Sequence, residues 1–481
     1  MKDRKIKSST SLISILVMIC AFLPNQVEGQ QVSDSTRLVS INKIYLLGND
    51  KTKPYIILRE MNLKEGDQVM KSELAEKVEW SQNNVYNTNL FSTVKVETLE
   101  LDSSSIDLLV KVEERWYVWP SFVLRPIDNN FIDWWTNRGK DFSRIRFGPK
   151  LDIYNVRGRR EKLRLVGLFG FDQTVAFQYS FPFIDKQQKH GLSVGVGTST
   201  KKNMFYQTVD HVAIDLSDTT ELAEQVNRRG KSAYMIYTYR PSFYDYHYVT
   251  FQGYQINISD DILALNPNFL GDGRQEQGAL GIAYTFIQDK RDNRNYPLSG
   301  TYTFASVEKL GLGAFKDVDI WRLKADFRWF QELKESNYLK LSLGFSLTSP
   351  DVAYMNNNLM GEEQYVIRGF EQFIIEGPIN VLSKNEYRRH LFTTHANLGR
   401  FMPLKKFKKI PFKFYAKSFV DAGYVKNYDN YPLNTLLTDE LLWSTGIGLD
   451  LVLLYDVTLR FEYSYNSEGN FLFNPNLFIQ F

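Results

Sequence analysis

The chain has 481 residues, with 58 basic against 55 acidic side chains and a net charge of +3, so its charge does not point to nucleic acid as a partner. Aromatic residues make up 15% of it, including 34 Phe and 28 Tyr, which calls for a large apolar surface. The single cysteine excludes a disulfide framework, and the five histidines show no metal-ligand spacing, so neither metal nor cofactor is expected.

The first element is an export signal. Lys2, Arg4, Lys5 and Lys7 precede an apolar run from Leu12 to Leu23, and Val27 and Gly29 supply small residues at a cleavage site, so residues 1–29 are expected to be removed. Ile19 is too bulky for a lipoprotein cleavage site before Cys20, and this cysteine leaves with the signal. The mature chain then has no thiol nucleophile. No later apolar run reaches the roughly 18 residues of a membrane helix. A membrane protein of this composition would be a barrel.

Residues 38–115 have the rhythm of a small α+β domain. "LVSINKIYLLGND" reads as a strand ending at Gly48-Asn49, "YIILREM" and Ser72 to Tyr86 read as helices, and "STVKVETLE" and "SIDLLVKVEE" read as two strands. The order is strand, helix, helix, strand, strand, an order that by itself leaves an unrelated α+β domain open. The domain runs into the next region at Trp116 to Pro120 without a flexible linker.

From residue 116 to 481 the period is two. Phe471, Phe473, Pro475, Leu477, Ile479 and Phe481 share one face, with Asn474, Asn476 and Gln480 between them. Val457, Leu459, Phe461, Tyr463 and Tyr465 likewise alternate with Asp456, Thr458, Arg460, Glu462 and Ser464. A soluble sandwich would hide the apolar face, whereas a membrane barrel would turn it to lipid. Full charges on the polar face of strand after strand, the export signal and the aromatic last residue favour the barrel. About sixteen such segments can be counted, an even number that suits a bacterial barrel with both ends in the periplasm. The fold class is therefore mainly β: a 16-stranded transmembrane antiparallel barrel preceded by one small periplasmic domain.

Four motifs stand in this frame. "QDKRDNRNYPLSG", from Gln288 to Gly300, is a charged periplasmic turn carrying Asp289, Arg291, Asp292 and Gly300. "VIRGF", from Val366 to Phe370, lies in a long connection. "NEYR" (Asn385 to Arg388) and "FVDAGYV" (Phe419 to Val425) lie in strands. In the last of these Lys413, Lys417 and Asp421 share the lumen face, and an inward carboxylate is costly to desolvate unless paired. Arg368 can pair with Asp421, and its planar fork can reach a second carboxylate such as Glu386. Gly369 would let the backbone turn, and Phe370 would anchor the tip.

With Gly48-Asn49, Gly66-Asp67, Leu90-Phe91 and "VKVEE" in the small domain, the whole mature chain resembles the outer-membrane assembly-factor superfamily, the BamA/TamA-like bacterial surface antigen proteins. Their N-terminal units are POTRA domains. The resemblance implies that Ile367, Arg368, Gly369 and Phe370 form a loop folded into the lumen, received at Glu386, Asp421 and Gly423, and that Leu477, Ile479 and Phe481 form a C-terminal strand signal. One departure is Glu362-Glu363, where relatives carry glycines.

The resemblance also implies a non-enzymatic outer-membrane insertase, with a weak seam between a first strand near Tyr117 to Leu124 and the last, Phe471 to Phe481. Its partners would be outer-membrane lipids, unfolded β-barrel clients or a secreted passenger, and periplasmic accessory proteins. A two-partner-secretion transporter and a passive channel or surface structural protein remain as alternatives. "GLSVG" (Gly191 to Gly195) matches a serine-hydrolase pattern, but it lies in one uninterrupted alternation and lacks the required strand-turn-helix elbow.

Overall fold

The computed structural model describes residues 37–102, 104–126, 145–216, 222, 225–315, 317–357, 359–360, 367–397, 399, 409–429 and 433–478. The export signal with Cys20, Glu362, Glu363, Val366, Ile479 and Phe481 lie outside them.

The small domain contains β1 (Leu38–Leu47), α1 (Pro54–Leu58), β2 (Gln68–Met70), α2 (Lys71–Tyr86), β3 (Phe91–Glu100) and β4 (Ser105–Glu114). Its sheet runs β2-β1-β4-β3, with β1 parallel to β4 and the other pairs antiparallel. The sequence reading has no β2, because three residues are too few for an alternation to show. Val39 and Ile41 face the core, and a register shift between Ile41 and Ile44 then changes the parity so that Ile44 and Leu46 pack inward. Ile57, Met61, Val85, Phe91 and Leu108 complete that core. Tyr117 belongs to it too: it is buried there and donates to the Leu90 carbonyl at 3.0 Å, so the barrel begins one residue later than the alternation suggests.

Sixteen antiparallel strands follow in one sheet. The first group is β5 (Val118–Pro126), β6 (Ile145–Val156), β7 (Glu161–Gly170), β8 (Gln173–Phe181) and β9 (His190–Lys201). A separate hairpin, β10 (Phe205–Val209) and β11 (Val212–Asp215), precedes β12 (Arg228–Tyr239) and β13 (Asp245–Ile258). After the short helix α3 (Asp260–Leu265) come β14 (Glu276–Asp289), β15 (Gly300–Leu310), β16 (Ile320–Lys334) and β17 (Asn337–Thr348). A two-stranded pair, β18 (Leu359–Met360) and β19 (Ile375–Glu376), stands in the long connection. β20 (Ile379–Asn397), β21 (Lys409–Lys426), β22 (Leu441–Val452), β23 (Thr458–Asn466) and β24 (Phe471–Phe478) complete the wall.

Within the wall each strand pairs with its neighbours in sequence, and β5 and β24 are the two ends of the ordered sheet. Among the described residues no ladder joins them. Ser193 of "GLSVG" sits within β9, so the elbow is absent.

Burial is inverted relative to a soluble sandwich. Phe122 and Leu124 are 66% exposed and Ile447 65%, whereas Asp421 is 0% and Asp450 1% exposed. Apolar side chains face outward and charged ones face the lumen, as a lipid-facing barrel requires.

The small domain is docked on the short turns at one end of the barrel. Arg240, after β12, grips Glu60 with both guanidinium nitrogens at 2.5 and 2.7 Å, and Arg160 reaches the same carboxylate at 3.3 Å. Burial pushes the Glu60 carboxyl up, but Arg240, Arg160 and Arg59 pull it further down, to about 2. Asn155 donates to the Thr52 hydroxyl at 2.8 Å, and the Tyr86 hydroxyl donates to Asp456 at 2.7 Å.

Candidate functional site

The loop residues Ile367 to Phe370 lie inside the barrel against the strands that end the sheet. Arg368 is 5% exposed. Its Nε and Nη2 donate to the two Asp421 oxygens at 2.7 and 2.5 Å, and its backbone N–H donates to the same carboxylate at 3.2 Å. Nη1 donates to Glu386 at 3.1 Å and to Glu462 at 3.2 Å. The guanidinium also lies 3.8 Å from the centre of the Phe419 ring. Three carboxylates from β20, β21 and β23 therefore converge on one cation. The bidentate fork and the aromatic face beneath it are contacts that a lysine would not reproduce.

Alternation explains why these side chains meet. Lys417, Phe419, Asp421 and Gly423 are every second residue of β21, and Glu386 stands opposite Phe419 in the ladder with β20. Glu462 reaches the same level from β23. Lys413, on the same face, lies further along β21 and is exposed, so it does not join this site.

The two glycines do different work. Gly369 adopts φ +85°, a backbone conformation that a side chain disfavours, and lies against Ser464 and Asn466 of β23. Gly423 is needed for space: a Cβ there would stand 2.5 Å from Ile367 Cδ1 and 2.9 Å from the Met360 methyl. Phe370 and Ile367 are buried with Met360, Ile375, Leu382, Val425 and Leu442.

The loop is also held at positions that sequence reasoning missed. Asn466 donates to the Gly369 carbonyl at 2.7 Å. Glu371 accepts from the Gly369 N–H and from Asn474 of β24, both at 2.8 Å. Glu462 and Arg460 were visible as the polar members of the β23 alternation, but that pattern names no partner. Asn474 gave no signal beyond its place between apolar residues, and Asn466, just before Ser467 and Glu468, gave none.

The charged turn folds inward from the small-domain side and meets the same network. Asp289 pairs with Arg291 at 2.7 Å and with Arg294 at 3.0 Å, while Asp292 accepts the N–H groups of Leu298 and Ser299 at 3.0 and 3.2 Å. Gly300 opens β15. Asn87 of the small domain donates to the Asp292 carbonyl at 3.0 Å. Tyr296 is buried beneath the turn, 5.0 Å from the Arg388 guanidinium, and donates to Asp450 at 3.1 Å.

A closed ring results. From Arg368 it runs through Glu386 to Arg388 at 2.6 Å, across Tyr296 to Asp450, then through Lys417 at 2.8 Å to Glu462 at 2.7 Å and back to Arg368. Loop and turn, about 80 residues apart in sequence, are thereby tied through shared carboxylates. No group of acidic, histidine or cysteine side chains suited to a metal occurs among the described residues. Leu477 lies in β24, while Ile479 and Phe481 fall outside the described residues.

Comparison with known proteins agrees with this architecture. Residues 39–115 match the POTRA family, described as surface antigen variable number repeat, and residues 155–470 match the Omp85 superfamily domain. An 81-residue stretch is 36% identical to the outer membrane protein assembly factor BamA of Neorickettsia risticii (strain Illinois). That stretch covers 17% of this chain and only 10% of that relative. The crystal structure of Haemophilus ducreyi BamA lacking POTRA domains 1–3 superposes with a TM-score of 0.50 at 15% identity, covering 92% of this chain and 85% of that one. Escherichia coli CdiB superposes with a TM-score of 0.50 at 11% identity, covering 92% and 75%. At these identities the likeness speaks for the fold alone. The chain belongs to the Omp85 superfamily, an outer-membrane barrel that carries its POTRA domain in the periplasm.

Proposed function

We propose that this protein is an insertase that folds β-barrel clients into the outer membrane through the boundary between β5 and β24. The observation that carries this reading is the ordered sheet itself, which ends at those two strands with no ladder between them among the described residues. An unpaired strand edge exposes N–H and C=O groups that can template an incoming strand. Pro475 removes one donor from β24, which weakens any closing ladder there.

In this reading Arg368, held by Asp421, Glu386 and Glu462, positions the loop, and Glu371 carries that position to β24. Gly423 and Gly369 make the seat. The turn with Asp289, Arg291, Asp292 and Gly300 relays the docking of the periplasmic domain to the same ring. β3, the edge strand of the periplasmic sheet, offers an edge at Val94 to Glu100 on which an unfolded client can add a strand, with the Val96 N–H already donating to Gln82 at 3.3 Å.

Depletion of the protein followed by quantitative proteomics of the outer membrane tests this. Broad loss of barrel proteins is the expected result. An unchanged outer-membrane proteome, with one passenger protein retained in the periplasm, would refute the insertase and select the secretion transporter.

A further inference from the structure

One hairpin of the wall runs past its neighbours. β20 pairs with β17 only as far as Arg389, and β21 pairs with β22 only as far as Lys413, yet β20 and β21 go on pairing with each other to Asn397 and Lys409. Residues 390–397 thus carry β20 beyond the periplasmic rim by roughly 26 Å of strand, at about 3.3 Å per residue.

A bulge sorts the side chains of this arm. Arg389 stands opposite Ala416 and so shares the outer, lipid-facing side of the ladder with Phe414 and Val420. The register shift between His390 and Phe392 then changes the parity, and Phe392 meets Phe414 on that same side instead of following Arg388 into the lumen. Their rings stack at 4.5 Å, and Thr394 and Ala396 continue the outer face opposite Phe412 and Ile410. Lys413, opposite Thr393, belongs to the other face.

The outer face is apolar and uncovered at the level where the wall ends. Tyr387 is 42%, Leu391 47% and Phe392 53% exposed, and the Tyr387 hydroxyl donates to Asn337 at the start of β17 at 2.6 Å. The headgroup layer on each side of the hydrocarbon is roughly 5–7 Å thick, so the root of the arm falls within it. Aromatic rings and arginines whose stems lie along apolar surface are favoured in that layer.

Charge selects the lipid. Arg389 is exposed on the outer face, and among the described residues it forms no ion pair, Glu335 of the adjoining turn included. From Tyr387 to Val420 the sequence holds no Asp or Glu and nine Lys or Arg, of which Arg388 and Lys417 serve the lumen ring. The hairpin therefore supplies no carboxylate of its own to Arg389. Residues 398 and 400–408, with four of the nine cations, lie outside the described residues, and the site does not include them.

We propose that Tyr387, Arg389, Leu391, Phe392 and Phe414 dock an anionic phospholipid of the periplasmic leaflet. The Arg389 guanidinium takes the phosphate, and the Phe392–Phe414 pair takes the upper part of an acyl chain. A surface cation attracts an anionic headgroup over a zwitterionic one. Anchored in this way, the hairpin fixes the height in the membrane of β20 and β21, the strands that present Glu386 and Asp421 to Arg368.

Native mass spectrometry of the full chain in neutral detergent tests this, by titration with phosphatidylglycerol and, in parallel, with phosphatidylcholine of the same acyl chains. The first phosphatidylglycerol adduct should form at lower lipid concentration than the first phosphatidylcholine adduct. Arg389→Gln should raise the phosphatidylglycerol dissociation constant about fivefold, the effect of one cation at an anionic surface, and leave that of phosphatidylcholine unchanged. Phe392→Ala should weaken both lipids alike. Lys413→Gln, on the opposite face of the same arm, should change neither, and heat-modifiable mobility in gels confirms that each variant is folded.

A parent protein with no preference for phosphatidylglycerol overturns the proposal and leaves an acidic periplasmic protein as the occupant of the arm. Equal losses in Arg389→Gln and Lys413→Gln overturn it as well, because they would assign the preference to net charge. If Arg389→Gln does not fold, Phe392→Ala decides: an unchanged phosphatidylglycerol constant there removes the site.

Discussion

Glu371, two residues past the turn of the inserted loop, accepts a hydrogen bond from Asn474 of the last barrel strand at 2.8 Å. The same carboxylate takes the Gly369 N–H, so one side chain links the seated loop to the strand at the end of the sheet. Asn474→Ala removes a bond to a charged acceptor, worth about 1.5–3 kcal/mol. Hydrogen exchange should quicken in β24 and stay unchanged in β16 and β17. Unaltered protection of β24 would show that the loop does not restrain it.

Arg368→Ala leaves Asp421, Glu386 and Glu462 facing one another, and breaking a buried pair in this way costs about 3–5 kcal/mol. Asp421→Ala should cost less, because Arg368 retains Glu386 and Glu462. The double change should therefore be non-additive in the heat stability of the folded barrel, with a coupling of about 0.5–3 kcal/mol. Strict additivity would deny the pair.

Gly423→Ala places a methyl group 2.5 Å from Ile367 Cδ1. Overpacking of this kind costs about 1–3 kcal/mol. The expected result is a displaced loop with the barrel intact, read as new protease cleavage near residues 359–376 without loss of heat-modifiable mobility.

The docking of the periplasmic domain should depend on acid. Burial pushes the Glu60 carboxyl up, but the combined pull of Arg240, Arg160 and Arg59 outweighs it and takes the group from its ordinary 4.5 to about 2 in the fold. A lowered folded value means that the stabilisation is complete above 4.5 and is lost as pH falls through about 2. It amounts to on the order of 3 kcal/mol. Glu60→Gln should remove this acid dependence from the interdomain contact, measured as the distance between spin labels on the two domains. A distance that changes identically with pH in both proteins would place the dependence elsewhere.

At the opposite end His211 ties three segments together. Its Nε2 accepts the Leu437 N–H at 2.9 Å and its Nδ1 donates to the Ile374 carbonyl at 3.3 Å, while its own N–H donates to Asn434 at 2.8 Å. Only the neutral ring tautomer with hydrogen on Nδ1 satisfies both ring contacts. Burial lowers its pKa below the ordinary 6.5, against the opposing effects of Ile374 and Asp210. The contribution is therefore full above 6.5 and declines as pH falls below it. Proteolysis of the β10–β11 hairpin should accelerate on mild acidification and become pH-insensitive in His211→Ala. A hairpin equally resistant at both pH values would exclude the latch.

Much of the fold was legible because a barrel strand writes its two environments into every second residue. The sixteen strand positions and the lumen face of β21 follow from parity, whereas the meeting of Arg368 with Asp421 and Glu386 was expected from that face together with the inserted loop that the family resemblance implies. The ring that surrounds them was not legible. Glu462 was visible only as a polar member of an alternation, Asp450 drew no notice, and nothing local in "RDNRNYPLSG" says that Tyr296 turns inward. β2 was missed because it is too short to alternate, and the start of β5 moved because Tyr117 packs into the neighbouring domain.

The sequence by itself determined which face of each strand meets lipid, since desolvation acts on each side chain where it stands. It also determined that an inward carboxylate needs a cation. Only the tertiary structure decided that three carboxylates share Arg368, that the turn and the loop close one ring, and that Glu60 is held by arginines from two barrel turns. These depend on the stagger of neighbouring strands and on the path of long connections, which set distances between residues far apart in the chain. Periodicity fixes the direction in which a side chain points, and the register of neighbouring strands fixes what it meets.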